Sequence, residues 1–323
     1  MVFENSVCLN CDSAVGYSLP DGDILVVDPE QRQPCANLNI ASCNWLVPAG
    51  EPGALCESCS LTRTRPNDDD AEFLPLFAEA ETAKRRLIAE LHELGLPVVG
   101  KDQEPETGLA FDLLSSAEQN VVIGHADGVI TLDLAEGDDS HREQMRAQLA
   151  EQYRTLLGHF RHESGHYYYT VLVQDEETKG RFVGLFGDPD ADYQAALDRH
   201  YSEGAPVGWE DEFVSSYATM HAAEDWAETF AHYLHIRDTL DTAAAFGFAP
   251  AGVTLDKARP GRVGFDQLVD EWLPLVWSLN MINRSMGHQD LYPFVLAPNV
   301  LDKLAFAHHL VTAQQAEANS AAS

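Results

Sequence analysis

The distribution of cysteine divides this chain of 323 residues into two unequal parts. All six cysteines lie between Cys8 and Cys59, and the longer remainder of the chain contains none. Residues 1–65 also have Pro, Gly, Asn and Ser at many positions and only short apolar stretches, so they cannot build much of a core unaided. In a reducing cytoplasm, closely spaced cysteines indicate bound metal more than disulfides. We therefore predict a separate, small, β-rich cysteine module over residues 1–65.

Two C-x-x-C motifs lie in this module, Cys8-Leu9-Asn10-Cys11 and Cys56-Glu57-Ser58-Cys59. Each short spacing lets two sulfurs converge on one ion, and four thiolates in a tetrahedral array form a structural zinc site. We predict that these two motifs bind one structural zinc ion, although their separation of 44 residues exceeds the usual spacing of about 15–20. Cys35 and Cys43 lie between the motifs. They are interpreted as buried apolar thiols, as a second metal half-site, or as members of an alternative quartet with Cys8 and Cys11.

The charge balance and the hydropathy exclude several classes of partner. The chain has 20 basic and 52 acidic side chains, a formal net charge of −32, which argues against a nucleic-acid binder with a basic footprint. No apolar run approaches the roughly 18 residues that span a bilayer. The first ten residues lack the basic start and the apolar core of a secretion signal. We predict a soluble cytoplasmic protein that binds neither nucleic acid nor a membrane.

The remainder of the chain combines strand and helix patterns. Residues 73–94 have apolar positions at helical spacing, residues 109–134 alternate as strands with a turn at Asp127-Gly128, and a long amphipathic helix begins near Ser140. Residues 174–210 are rich in Gly, Asp and Pro and are interpreted as an insertion or lid-like connection. Helical patterns return over residues 213–240, 265–281 and 300–311. These patterns predict an α+β domain over residues 72–312 with a mostly helical C-terminal part, and a disordered tail over residues 313–323.

One motif near the end of the long helix points to chemistry, because residues 162–166 spell H-E-x-x-H. On a helix, His162 and His166 lie on one face and can bind one zinc ion, while Glu163 can reach a water at that ion. A hydrolytic site also needs a third protein ligand, and residues 167–172 offer neither His nor Asp at the metzincin spacing. The best source is the helical segment that contains Glu224 and Glu228, four residues apart on one face.

The two helical motifs together resemble the gluzincin metallopeptidases, in which an H-E-x-x-H helix is followed by a helix bearing E-x-x-A-[DE]. Residues 224–228, Glu-Asp-Trp-Ala-Glu, fit the second motif. More closely, nearly the whole chain resembles the bacterial putative zinc-binding metallopeptidases that carry an N-terminal zinc ribbon. Further stretches that match are Cys43-Asn44-Trp45-Leu46-Val47, Gly124-His125-Ala126-Asp127-Gly128 and Asp290-Leu291-Tyr292-Pro293-Phe294. The resemblance implies a small zinc ribbon followed by a gluzincin-like metallopeptidase domain.

The resemblance also implies roles for individual residues. Glu224 becomes the third zinc ligand and Glu228 accepts a hydrogen bond from a ligating histidine, with the reverse assignment left open because both share one helix face. Asp225 points elsewhere and is interpreted as a solvated residue. In several gluzincins a tyrosine seven residues before the glutamate ligand faces the oxyanion; here this is Tyr217, whose alternative role is that of a packed core aromatic. By analogy, the strand at residues 129–134 acts as an edge strand that pairs with an extended peptide substrate.

The resulting hypothesis is zinc-dependent hydrolysis of a peptide or other amide bond. One catalytic zinc ion activates a water molecule, Glu163 acts as general base, and a second zinc ion is structural. The substrate is then a peptide or protein, and the ribbon docks a substrate or protein partner. The alternative is a catalytically silent zinc-binding scaffold or protein-interaction module. Glu163 favours the enzyme, because a scaffold does not need a carboxylate beside the first ligand.

Overall fold

The computed structural model describes residues 3–116, 121, 123–137, 155–248 and 260–321. These residues form two compact units: the first runs to residue 160 apart from 94–96, and the second comprises 94–96 and the residues from Arg161 onward. The first unit contains all the strands found in the described residues, whereas the second is helical, so the fold is α+β as the sequence predicts. Within these residues, no helix combines the length and the apolar character that crossing a lipid bilayer requires.

Two antiparallel hairpins form the N-terminal part of the first unit. Strand β1 (Val15–Ser18) pairs with β2 (Asp23–Val26), and β3 (Arg32–Pro34) pairs with β4 (Leu46–Pro48). The hairpins meet at Gly16, where a Cβ atom would lie 2.3 Å from the carbonyl oxygen of Asn44. Glycine is therefore required at this position for the close contact between the two hairpins. A short helix, α1 (Glu57–Ser60), follows.

A four-stranded sheet with the order β5-β6-β8-β7 completes the strands of the first unit. Its strands are β5 (Thr62–Thr64), β6 (Ala110–Leu114), β7 (Gly124–Ala126) and β8 (Val129–Asp133). Strands β5, β6 and β8 run parallel to one another, whereas β7 is antiparallel to β8. The turn between β7 and β8 has positive φ at both Asp127 (50°) and Gly128 (80°), which matches the Asp-Gly hairpin signal.

The sheet topology corrects one prediction, that the strand at residues 129–134 is an edge strand. In the part of the chain that the structure describes, β8 lies between β6 and β7, so it is an interior strand, and β7 forms the edge. The physical reason is the tight turn at Asp127-Gly128, which returns the chain so that β7 covers the side of β8 that would otherwise be open. Among the described residues, β7 therefore blocks the pairing of a peptide with residues 129–131 of β8.

Helix α2 (Leu74–Glu93) packs apolar residues such as Phe77 and Leu87 into the core of the first unit. It also carries a fully buried ion pair in which Lys84 Nζ lies 2.6 Å from Glu81 Oε1. Each charge has further partners: Thr62 donates to Glu81 over 2.5 Å, and Lys84 Nζ lies 5.2 Å from the ring centre of Phe111. Because a buried charge without a partner is costly, these contacts fix α2 against β5 and β6.

The second unit is built from six α-helices in its described residues, the first of which begins in the first unit. They are α3 (Leu156–Leu172), α4 (Glu176–Phe186), α5 (Tyr193–Glu203), α6 (Ala222–Ala245), α7 (Gly261–Ser285) and α8 (Pro298–Ala321). The predicted start of the first helix near Ser140 lies outside the described residues. Trp226 of α6 occupies the centre of an aromatic core, with ring centres of Phe186, Phe230 and Phe306 between 5.5 and 6.0 Å away.

Two sequence-based expectations differ from the structure. The predicted lid-like connection at residues 174–210 contains α4 and α5, because Asp175 and Asp192 act as N-caps that accept hydrogen bonds from Thr178 N (2.9 Å) and Ala195 N (3.0 Å). The predicted disordered tail is helical as far as it is described, since α8 continues to Ala321. Its last turns are rich in Ala, Gln and Glu, which are strong helix formers.

Helices α3 and α6 approach each other closely at Gly165, inside the H-E-x-x-H motif. A Cβ atom on Gly165 would lie 2.9 Å from Ala227 Cα and 3.2 Å from its carbonyl oxygen, both of which are backbone atoms that cannot yield easily. In addition, the indole Nε1 of Trp226 donates a 2.8 Å hydrogen bond to the carbonyl oxygen of Gly165. This contact sets the distance between the two helices that carry the candidate site.

We predict that Gly165→Ala lowers the free energy of unfolding by about 1–3 kcal/mol, as overpacking typically does. The matched control is Gly180→Ala, on α4, because a Cβ atom there meets nothing within 4 Å. That variant should be more stable than the wild type by about 0.5–1 kcal/mol, since alanine is the better helix former. Urea titration followed by circular dichroism measures both changes. Equal stability of Gly165→Ala and the wild type would show that the two helices separate without cost.

Candidate functional site

The H-E-x-x-H histidines and one glutamate of α6 converge in the second unit. One donor atom each from His162, His166 and Glu224 lies within 4.8 Å of the other two. His162 Nε2 is 3.0 Å from Glu224 Oε2, and His166 Nε2 is 3.5 Å from Glu224 Oε1. Ligand atoms of a tetrahedral zinc ion with bonds of about 2.0–2.1 Å are separated by about 3.3 Å. The three side chains therefore fit zinc in both chemical type and spacing.

Glu228 contacts the opposite side of the His162 ring. Its Oε1 lies 2.6 Å from His162 Nδ1, and its Oε2 accepts a 2.6 Å hydrogen bond from Ser215. Glu228 is not among the three groups whose donor atoms converge in the described residues. An Nδ1–H that donates to Glu228 leaves Nε2 as the ligating nitrogen and fixes the orientation of the ring. This geometry favours Glu224 over Glu228 as the third ligand.

The carboxylates of Glu224 and Glu228 favour positive charge at the His162 ring, which lies between them. Burial opposes ionisation of Glu224, but the hydrogen bonds with His162 and His166 outweigh it and hold its pKa below the usual value. Burial likewise opposes ionisation of Glu228, yet its hydrogen bond with His162 lowers its pKa to about 2. For His162, burial is also overcome by the two glutamates, which raise its pKa well above the usual value. A divalent cation would be attracted to the same position for the same electrostatic reason.

Glu163 and two tyrosines lie close to these ligands. Glu163 follows His162 on α3 and is only 5% exposed. The ring of Tyr217, the tyrosine predicted from the sequence, has its centre 5.9 Å from that of His162. Tyr193, which sequence reasoning did not identify, donates a 3.0 Å hydrogen bond to Glu224 Oε1. Burial and the charge of Glu224 raise the pKa of both tyrosine hydroxyls, so both remain protonated donors at neutral pH.

Asp225 is buried, and its interpretation as a solvated residue is wrong. It is 1% exposed, and its Oδ2 lies 2.6 Å from Lys303 Nζ of α8. Lys303 also donates to the carbonyl oxygen of Glu212 over 2.7 Å. Burial raises the pKa of Asp225 to about 7, against the opposing effect of Lys303. The residue after Glu224 is rotated by about 100° around the helix, which directs Asp225 towards α8.

Four cysteines in the first unit form a second cluster. The sulfur of each lies within 4.8 Å of the other three, and the Sγ–Sγ distance between Cys43 and Cys56 is 3.6 Å. A tetrahedral four-thiolate zinc site with bonds of about 2.3 Å has sulfurs about 3.8 Å apart, so the cluster fits a structural zinc ion. The four residues are all buried: Cys35, Cys43, Cys56 and Cys59.

The structure does not bring the predicted set of cysteines together. Cys8 is half-buried and Cys11 is exposed, and neither belongs to the cluster that contains Cys56 and Cys59. The missing pair is supplied by the β3–β4 hairpin, because Cys35 directly follows β3, Cys43 shortly precedes β4, and Cys35 N donates to the carbonyl oxygen of Trp45 over 2.9 Å. Strand pairing therefore brings Cys35 and Cys43 together, whereas the C-x-x-C spacing alone brings Cys56 and Cys59 together.

Helix α2 supplies contacts around the cysteine cluster. Cys59 Sγ donates to Glu81 Oε2 over 3.8 Å, and Arg85 donates to the carbonyl oxygens of Ala41 (3.1 Å) and Ser42 (3.2 Å), directly before Cys43. Arg85 is 2% exposed and Glu81 is fully buried. The cluster is thus held partly by a helix that lies beyond the cysteine-containing segment.

Comparison with known proteins identifies the family. Residues 74–310 match the family described as "Putative zinc-binding metallo-peptidase", and residues 1–70 match a zinc-ribbon domain. The chain belongs to this metallopeptidase family. It is 63% identical over 313 residues to uncharacterized proteins of Mycobacterium tuberculosis and Mycobacterium bovis, and the alignments cover 96% of this chain and 92% of each relative. No solved structure matches the chain. The predicted zinc-binding metallopeptidase with an N-terminal zinc ribbon is therefore confirmed at the level of the family.

We predict that the cysteine cluster, and not the Cys8–Cys11 motif, holds the structural zinc ion. The double variant Cys35→Ser/Cys43→Ser removes two of four thiolates and should lose one zinc ion per chain in elemental analysis. Cys8→Ser/Cys11→Ser is the matched control and should retain full zinc content, because both residues lie outside the cluster. The opposite pattern would support the quartet predicted from the sequence.

Substitution of each of the two glutamates of α6 should change zinc binding at the histidine site to a different extent. We predict that Glu224→Ala removes its zinc ion, whereas Glu228→Ala weakens zinc binding about 10–100-fold, as the loss of a ligand's hydrogen-bond partner typically does. Chelator competition measures both affinities, and circular dichroism checks that each variant is folded. Reversed effects would make Glu228 the ligand.

Proposed function

We propose that this protein is a zinc-dependent peptidase that hydrolyses peptide or other amide bonds through a gluzincin-type active site. The observation that carries the proposal is the convergence of His162, His166 and Glu224 beside Glu163, in a chain that belongs to a zinc-binding metallopeptidase family. Membership of a peptidase family implies a peptide or protein as substrate.

The donor set suits a catalytic zinc site rather than a structural one. Two imidazoles and one carboxylate supply three protein ligands, which leaves a fourth position open for water or substrate. A zinc ion held by these residues would polarise the substrate carbonyl and lower the pKa of water towards about 7. His166 and Glu228 keep 19% and 20% of their side chains exposed, so solvent can reach the surroundings of the site.

Each remaining step is assigned to side chains of this protein. Glu163 takes a proton from the attacking water and returns it to the leaving amine. Glu228 accepts the Nδ1–H of His162 and so keeps Nε2 directed at Glu224 and the reaction centre. Tyr217 donates a hydrogen bond to the developing oxyanion, the role that the resemblance to gluzincins implies.

The cysteine cluster has a different proposed role. Four thiolates complete a tetrahedral shell, so a zinc ion at Cys35, Cys43, Cys56 and Cys59 would be structural. We propose the cytoplasm as the compartment, because reduced thiols persist there. We further propose that the zinc ribbon docks a protein substrate or partner.

The proposal is tested by separating metal binding from proton transfer. Glu163→Gln preserves the size of the side chain but removes the base, so we expect unchanged zinc content and hydrolysis of a peptide mixture reduced about 10²–10⁴-fold. The matched control is Glu177→Gln, at an exposed position of α4, which should leave both measurements unchanged. Mass spectrometry of the peptide mixture measures cleavage.

The same experiment decides between the enzyme and the scaffold. If zinc-loaded wild type and Glu163→Gln are equally inert across a broad peptide library, the peptidase proposal fails and a catalytically silent zinc-binding scaffold replaces it.

A further inference from the structure

We propose that Tyr193 is a positioning residue that fixes how Glu224 binds the metal, by holding one carboxylate oxygen so that the other serves as the ligand. This inference deepens the proposed function and rests on it. Tyr193 lies at the first position of α5, within the segment that the sequence alone describes as a connection.

The need for such a partner follows from the burial of Glu224. The residue is 3% exposed; its Oε2 lies 3.0 Å from His162 Nε2, and its Oε1 lies 3.5 Å from His166 Nε2. A carboxylate that ligates through one oxygen leaves the second oxygen in need of a donor, and a buried acceptor without one costs about 1–3 kcal/mol. The hydroxyl of Tyr193 supplies this donor, 3.0 Å from Oε1. A hydrogen bond from Tyr193 withdraws electron density from Oε1 and so makes Oε2 the better ligand atom.

The position of Tyr193 is itself fixed by His221, the N-cap residue of α6. Its Nδ1 accepts a 3.1 Å hydrogen bond from Ala223 N, so its Nε2 carries the proton and donates to the carbonyl oxygen of Ala191 over 3.0 Å. The imidazole therefore connects the start of α6, which carries Glu224, to the segment immediately before Tyr193. Its ring also packs edge-on against that of Tyr193, with ring centres 5.3 Å apart.

Tyr217 lies beside the same group of ligands, with its ring centre 5.9 Å from that of His162. Burial, the charge of Glu224 and the neighbouring Tyr193 raise the pKa of the Tyr217 hydroxyl, so it stays protonated. The two tyrosines thus have different roles: Tyr193 donates its proton to Glu224 and holds the ligand, and Tyr217 would donate to a substrate oxyanion.

Tyr193→Phe tests the inference, because it keeps the ring against His221 and removes only the hydroxyl. We expect zinc affinity, measured by chelator competition, to fall about 10–100-fold. In the cobalt-substituted protein, the visible absorption spectrum should change, since its intensity depends on the coordination number of the ion. The matched control is Tyr201→Phe, on the same helix but 64% exposed, which should leave affinity and spectrum as in the wild type.

Zinc affinity and the cobalt spectrum do not depend on turnover, so the positioning role of Tyr193 and the proposed peptidase activity can be disproved independently. Wild-type zinc affinity and an unchanged cobalt spectrum in Tyr193→Phe would overturn the positioning role, whatever the activity of Glu163→Gln. A loss of kcat at unchanged zinc affinity would also overturn it, and would instead make Tyr193 a direct donor to the substrate. If the wild type held no zinc at His162, His166 and Glu224, both proposals would fall.

Discussion

The close approach of α3 and α6 is the constraint on which the candidate active site depends. Gly165 allows the two helices to touch backbone to backbone at Ala227, and Trp226 fixes their register through its hydrogen bond to the Gly165 carbonyl oxygen. At this separation, the ring of His162 fits between Glu224 and Glu228 with both of its nitrogens in contact with carboxylate oxygens. A wider separation would leave these carboxylates buried without their partners, which is costly. The glycine inside the motif therefore supports the site through helix packing, whereas the histidines around it supply donor atoms.

The rotation of α6 about its own axis is set by three carboxylates that point in different directions. Glu224 meets the histidines and Tyr193, and Glu228, one turn later, lies between His162 and Ser215. Asp225 points towards α8, where it meets Lys303. Because each buried charge needs its own partner, only one rotation satisfies all three. The polar residues of α6 thus act together with its aromatic core to place the third ligand.

The parts of the site that the sequence predicts depend on local geometry. His162 and His166, like Glu224 and Glu228, are one helical turn apart, so spacing alone places each pair on a common face. Cys35 and Cys43 come together only because β3 pairs with β4, a contact that depends on strand register and leaves no fixed spacing. For Tyr193, the sequence does contain a local signal, the N-cap Asp192 that begins α5. Its contact with Glu224, 31 residues away, depends on how α5 packs and has no sequence motif.

The surroundings of the cysteine cluster come from two regions of the sequence, the one that matches a zinc-ribbon domain and the one that matches the metallopeptidase family. The zinc-ribbon match ends at residue 70, yet Glu81 and Arg85, which contact the cluster or the loop before Cys43, lie within the metallopeptidase match. The same helix places the buried Lys84–Glu81 pair against Thr62 of the sheet. Binding of zinc to the cluster would therefore stabilise α2 and the strands beside it as well as the ribbon, because a ligand that binds only the folded state stabilises everything that folds with it. In the first unit, the zinc ribbon and helix α2 thus belong to one compact unit.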